Sequence, residues 1–492
     1  MLDRRRLLTL GGITAGGVVG GALLVPRALT AGTSPDAAGH AGHHPAYRPV
    51  AGTRAAQPGT QFSRLMPVPR ELAPVRRGDG VDVYRIPIQA AQYEFQPGRP
   101  SAVRTYAGQF VGPTIRARTG RPVEVTFANQ LDVPSNVHLH GGHVPQSSDG
   151  HPMDTIAPGG SRTYRYPNTQ QGTTLWYHDH AHHLESENVY KGLHGFYIID
   201  DDAERDLRLP SGPYDVPIML RDVELDETGG LVYPPTKIPP DGQTTLANGV
   251  VTPYFPVAAR KYRFRLLNSA NERVFRLTLG GAQMTQIASD GGLLPAPVPR
   301  SEIVLGSAER MDIVVDFSAH PVGSHIVLYD VTGPVLRFDV TRTAPDPSRV
   351  PDTLRALPAL GVATVERDVS LRFDLSGPEP IGLVNNLPYD PDRADFVVRR
   401  GTTEIWRIRN DDVEFAIPHT FHMHLEQFRV LDRDGMPPGP DDAGRKDTVF
   451  VAPGETVRVQ VTFTEHLGKY VYHCHYLYHS AIGMMAQMDI VP

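Results

Sequence analysis

The chain has 492 residues, enough for two to four domains and a large buried core. Its 48 Lys and Arg stand against 54 Asp and Glu, a formal net charge of −6. There is no basic excess of the kind that grips nucleic acid, and no long like-charge run. One cysteine excludes an internal disulfide, and 47 Gly with 46 Pro exceed the ordinary combined share of about 12 %, as many turns between short strands require.

Asp3-Arg4-Arg5-Arg6-Leu7-Leu8 is followed by an apolar, glycine-rich stretch from Thr9 to Val25 and then Arg27. Residues 1–33 read as a twin-arginine export signal, which places the mature protein in the periplasm, at the cell wall or outside the cell. The glycines and the short apolar core weigh against a retained anchor, and no other stretch is apolar enough to span a bilayer. Residues 34–59, rich in Ala, Gly, Pro and His, read as a flexible leader.

The body repeats itself. "RPVEVTFANQ" (121–130), "RKYRFRLLNSA" (260–270) and "TTEIWRIRND" (402–411) are three alternating strands that each close on an asparagine. Each is followed by a turn and strand ("APGGSRTYRYP", "GSAERMDIVVDF", "APGETVRVQVTF") and then by a third element ("GTTLWYHDH", "GSHIVLYD", "GKYVYHCH"). The outer copies end in His-x-His, whereas the middle one ends at Asp330 without a histidine pair. The reading is all-β: three consecutive sandwich or barrel domains at 60–203, 204–342 and 365–492, with a Pro-, Arg- and Asp-rich linker at 343–364. Only 184–193 reads as a short helix.

The outer copies hold the chemistry. His138-Leu139-His140, His178-Asp179-His180, His422-Met423-His424 and His473-Cys474-His475 are four His-x-His pairs. In a strand, residues i and i+2 share a face, so each pair can offer imidazoles to two neighbouring metal ions, and eight imidazoles suffice for a three-metal cluster. Cys474 points to the opposite face from its neighbours. With His479 five positions on and Met484 ten on, the single thiolate looks like part of a mononuclear blue-copper site, and His419 is left over to complete it.

In order and spacing, these four motifs resemble those of the multicopper oxidases. The flanking "GFYII" (195–199), "KYRFRLLNSAN" (261–271), "SDGGLLPAP", "GTTEIW" and "RVLDR" resemble the three-domain bacterial laccases of the spore-coat and bilirubin-oxidase branch. The resemblance implies cupredoxin-like Greek-key domains and four copper ions. A type 1 copper would lie on His419, Cys474, His479 and Met484, a type 2 copper on His138 and His422, and a type 3 pair on His140, His178, His180, His424, His473 and His475. It implies a laccase-type oxidase whose partners are dioxygen and a small aromatic or metal-ion electron donor that delivers electrons near a solvent-side His479. A monomer is expected. Cys474 would carry the electrons and Asp149 would deliver protons or tune the cluster. Relatives usually carry Glu directly after the last histidine, where this chain has Ser480, so either the Ser480 hydroxyl passes protons through water or Glu426 substitutes as the acid. His143, His151, His182 and His183 do not fit the spacing and read as supporting or surface groups. A Cu(I) or Mn(II) metallo-oxidase and a bilirubin-type oxidase are the alternatives, and a non-catalytic cupredoxin scaffold is the remote one. Eleven Met without a methionine-rich run lower the Cu(I) option.

Overall fold

The computed structural model describes residues 61–78, 80–236, 243–280 and 282–492, so the export segment and leader read at 1–33 and 34–59 lie outside the described residues. Among the described residues strands dominate and assemble into six sheets, paired as three sandwiches. The first sandwich joins a five-stranded sheet to a four-stranded one, the middle a seven- to a five-stranded one, and the last two five-stranded sheets.

The asparagine-closed strands are the repeated unit. Val123–Asn129, Lys261–Asn268 and Thr403–Asn410 each pair in parallel with an earlier strand. Each asparagine faces an apolar partner in that register: Asn129 faces Ile88, Asn268 faces Leu220 and Asn410 faces Leu371. Each also makes the same three hydrogen bonds. The side-chain oxygen accepts from the amide two residues on, at Leu131, Ala270 and Asp412. The side-chain nitrogen donates to two distant carbonyls: Val133 and Ile156, Arg273 and Leu305, and Ile417 and Val451. Such a turn satisfies backbone groups that the ending strand would otherwise bury unpaired.

Burial shows where each sandwich sits. Val123–Asn129 alternates inside and outside, with Val123, Val125 and Phe127 in the core, as a strand with one wet face should. Nearly every residue of Lys261–Asn268 is buried, because the middle sandwich is covered on both sides. Its outward Arg263 and Arg265 pair with Asp312 and Asp215, and Arg265 donates to Thr174 on the strand that leads to His178. A further apolar cluster, including Phe110, Trp176, Met219 and Leu267, joins the first sandwich to the middle one.

The helix expected at 184–193 spans Glu185–Tyr190. The sequence reading missed three others: Gln146–Asp149, Asp202–Arg205 and Leu477–Ala481. Elements of four or five residues are too short to show a 3.6-residue period.

Asn268→Ala removes three buried hydrogen bonds at once. It should cost roughly 2–4 kcal/mol, read as a lowered thermal midpoint; an unchanged midpoint would contradict this account of the repeat.

Candidate metal centre

Cys474 ends the strand Gly468–Cys474, and His419 opens the neighbouring antiparallel strand His419–Met423. His479 comes from the helix Leu477–Ala481 that follows. Cys474 Sγ lies 3.4 Å from His419 Nδ1 and 3.5 Å from His479 Nδ1, and the two nitrogens are 3.1 Å apart. His419 donates from Nε2 to Asp412 Oδ2 at 2.8 Å, which leaves its Nδ1 lone pair aimed at the sulfur. Burial pushes the Cys474 thiol up to about 12, so only a cation held against the sulfur yields a thiolate here. Met484 is fully buried beside this group, and its carbonyl accepts from the Cys474 amide. His479 is buried rather than on the solvent side as expected. Phe373 and Tyr476 pack against its ring, and Glu272 Oε1 lies 3.8 Å from its Nε2.

On the other side of Cys474 the eight paired histidines converge. Strand pairing sets them opposite one another: His138 faces His178 in the first sandwich, and His422 faces His473 in the last. The two sandwiches then meet, with the rings of His138 and His424 stacked at 3.7 Å, as are those of His140 and His422. His180 and His473 bring their Nε2 atoms to 3.2 Å. Three of the four pairs run off a strand end, because His180, His424 and His475 lie just beyond the strands that carry their partners.

The backbone and two aspartates fix the tautomers. His138, His178, His422 and His473 each donate Nδ1–H to a carbonyl, those of Asp149, Asp179, Asp447 and Cys474, at 2.6–2.9 Å. His424 donates Nδ1–H to Asp149 Oδ2 at 2.8 Å, and His140 donates Nε2–H to Asp447 Oδ1 at 3.0 Å. Since these oxygens only accept, the lone pair is forced onto the other ring nitrogen. Those nitrogens (Nε2 of His138, His178, His422 and His424, and Nδ1 of His140) are buried without a protein partner, as are both nitrogens of His475. Burial and mutual repulsion lower the affinity of these rings for a proton, with His178 brought down to about 3 and His473 to about 4. Neutral imidazoles with inward lone pairs are the form that binds metal.

Sequence reasoning missed the middle sandwich's part in this. Arg310 forms a bidentate pair with Asp447 at 2.6 and 2.5 Å, and Asp447 in turn holds His140. Asp290 accepts from the Arg310 amide and from the Asp447 and Thr448 amides. Burial raises the Asp447 carboxyl and Arg310 pulls it back down. Gly141, at φ +80°, lets this pair approach: a Cβ there would stand 2.5 Å from Asp447 Oδ2 and 2.6 Å from Arg310 Nη2. Ser307 donates to the His475 carbonyl, and Leu477 donates its amide to the Asn271 carbonyl. The middle sandwich thus supplies no imidazole to the cluster yet clamps both ligand-bearing segments.

The other expected residues fall as follows. Asp149, fully buried at the end of the helix Gln146–Asp149, touches His138 through its carbonyl and His424 through its carboxylate, and burial pushes that carboxyl up to about 6. Glu426 turns away, accepting from the Thr464 amide and hydroxyl with His143 Nε2 at 3.4 Å. Among the described residues no hydrogen bond joins its carboxylate to the cluster, although its amide donates to the His424 carbonyl. That geometry removes it as the substitute acid. His151 bonds Gln487, and the His182 ring lies tilted against that of His183.

Models of the multicopper oxidase family match residues 87–204, 220–342 and 361–492. The laccase of Bacillus subtilis (strain 168) is 35% identical, over 87% of this chain and 98% of that protein. The bilirubin oxidase of Albifimbria verrucaria is 33% identical, over 89% of this chain and 83% of that one. Among solved structures, a laccase from Pediococcus acidilactici superposes with a TM-score of 0.82 at 33% identity, covering 88% of this chain and 95% of its own.

Asp447→Asn removes the bidentate partner of Arg310, leaving it only Asp290 at 3.5 Å, and loosens the His140 ring. It should weaken copper retention in the cluster about 10- to 100-fold while the blue colour of the Cys474 site persists. Titration with a competing chelator reads this directly, and wild-type retention would rule the clamp out.

Proposed function

The chain belongs to the multicopper oxidase family, and from that premise we propose that it is a laccase-type enzyme. In this reading it takes single electrons from phenols and aromatic amines and passes them to dioxygen, which leaves as water. It is a copper-dependent oxidoreductase with oxygen as acceptor. The finer reading is supported most by one observation: Cys474 shares a three-donor centre with His419 and His479, while its two chain neighbours, His473 and His475, face the eight-histidine cluster.

The donors suit copper: imidazoles held neutral with unpartnered inward nitrogens, and one thiol next to two of them. His419, Cys474, His479 and Met484 would hold a type 1 ion, His138 and His422 a type 2 ion, and the remaining six histidines a type 3 pair. Bound copper supplies the one-electron steps that protein side chains lack. The chain's own part is geometric. The peptide through Cys474 is a short covalent route between the two donor sets. The buried rings exclude water, and Asp149 orients His138 and His424 while keeping a carboxyl beside the cluster. Export through residues 1–33 belongs to the same proposal, as does a monomeric state.

Oxygen uptake by the copper-loaded protein with a methoxyphenol donor should be rapid and should vanish in Cys474→Ser. A blue protein that ignores phenols would shift the donor to a metal ion or a tetrapyrrole. Asp149→Asn should slow oxygen reduction on the order of 10²-fold with the blue colour intact; unchanged turnover would remove Asp149 from proton handling.

A further inference from the structure

Reducing dioxygen to water consumes protons at a buried cluster, so an acid buried on an element that leads away from the cluster histidines is a candidate source. Glu185 is such an acid. It opens the helix Glu185–Tyr190, five residues after His180, and is fully buried. Among the described residues no Lys, Arg or His forms an ion pair with it. Its Oε1 accepts from the Ser480 hydroxyl at 3.2 Å, and its Oε2 is buried with no partner. Ser480 is itself fully buried on the helix Leu477–Ala481. The two helices pack together, each directly after a pair of cluster histidines. A carboxylate buried for structure alone would be paired with a cation or saturated with donors.

We propose that Glu185, paired with Ser480, is the buried acid that passes protons to the oxygen-reducing cluster. The inference rests on the copper assignments proposed above. In each transfer the Ser480 hydroxyl, which donates to Glu185 in the resting pair, turns over: it gives its proton to an oxygen atom on its way to water and takes the proton of Glu185 in return. One O–H bond of the carboxyl breaks and one O–H bond of water forms, while the electrons come from the oxidised donor. The carboxylate is then reprotonated from solvent. A cavity of about 290 Å³ lies where that supply is needed. It is lined by Ala481, which follows Ser480, by His182 and His183, which lead into the Glu185 helix, and by Tyr389. The titratable groups facing Glu185 are Asp179, Tyr233 and Tyr389. Burial pushes the carboxyl up to about 8, so at neutral pH it holds the proton a donor must hold.

The test compares copper-loaded wild type with Glu185→Gln. The variant should turn over on the order of 10²-fold more slowly at saturating donor, while the donor still bleaches its blue colour at the wild-type rate without oxygen. The infrared difference between the two at neutral pH, measured on copper-free protein, should contain the carbonyl stretch of a protonated carboxylic acid. Moving the acid across the hydrogen bond, in Glu185→Gln with Ser480→Glu, should restore turnover. Wild-type turnover in Glu185→Gln, equal slowing of the anaerobic bleaching, or an ionised carboxylate in the infrared difference each overturns the proposal. Should Glu185→Gln lose copper, Ser480→Ala carries the test, because deleting the hydroxyl must shift the carbonyl stretch, and an unmoved band refutes the pairing. A wild-type protein that never turns blue sinks the copper assignments instead.

Discussion

Buried nitrogen lone pairs with nothing to bind them are the constraint on which this molecule turns. Polar atoms taken out of water without a partner cost about 1–3 kcal/mol each, and here seven such ring nitrogens, on six histidines with forced or doubly unpartnered rings, gather in one place. Protonation cannot relieve them, because burial and neighbouring imidazoles drive their proton affinity down. Metal ions in the cluster would relieve one nitrogen on each of these six rings. Since half of the rings come from the first sandwich and half from the last, the same ions tie the two ends of the chain across the middle one. Metal binding and folding are therefore linked, and loss of copper loosens the contact between sandwiches before it loosens any one of them.

The supporting groups follow from the same constraint. An imidazole can present a lone pair inward only if its other nitrogen carries the proton, so each ring needs an acceptor behind it. Carbonyls at the ends of elements serve for His138, His178, His422 and His473, while the Asp149 and Asp447 carboxylates serve for His424 and His140. A buried aspartate needs its own compensation, and that is where the middle sandwich enters, through Arg310 and Asp290. The repeat without a histidine pair thus braces the two that carry them.

Much of this was legible in the sequence because it is local. Strands closing on Asn129, Asn268 and Asn410 announce themselves by alternation and by a residue whose side chain replaces missing backbone partners. Metal donors announce themselves by spacing along a strand. Asp447, Arg310 and Asp290 carry no such signal: Arg310 and Asp447 are 137 positions apart and become partners only when two sandwiches dock. Glu185 lies in the stretch read only as a short helix, and its burial is decided by packing against the helix after His475. Glu426 looked close to His424 in sequence, yet the chain turns at Leu425, at φ +72°, and the carboxyl leaves the cluster. His479 was read as the solvent-side ligand, whereas Phe373, on a distant strand, and Tyr476 pack over its ring.

The most direct measurement is the copper content of the reconstituted protein together with its electron paramagnetic resonance. The donor arrangement predicts four copper ions per chain, with half of the copper giving a signal, because two ions held together among the type 3 histidines are spin-coupled and silent. One of the visible ions should show the narrow splitting of a thiolate-bound site. A lower count, or a signal that accounts for all the copper bound, would contradict a cluster built from these eight imidazoles.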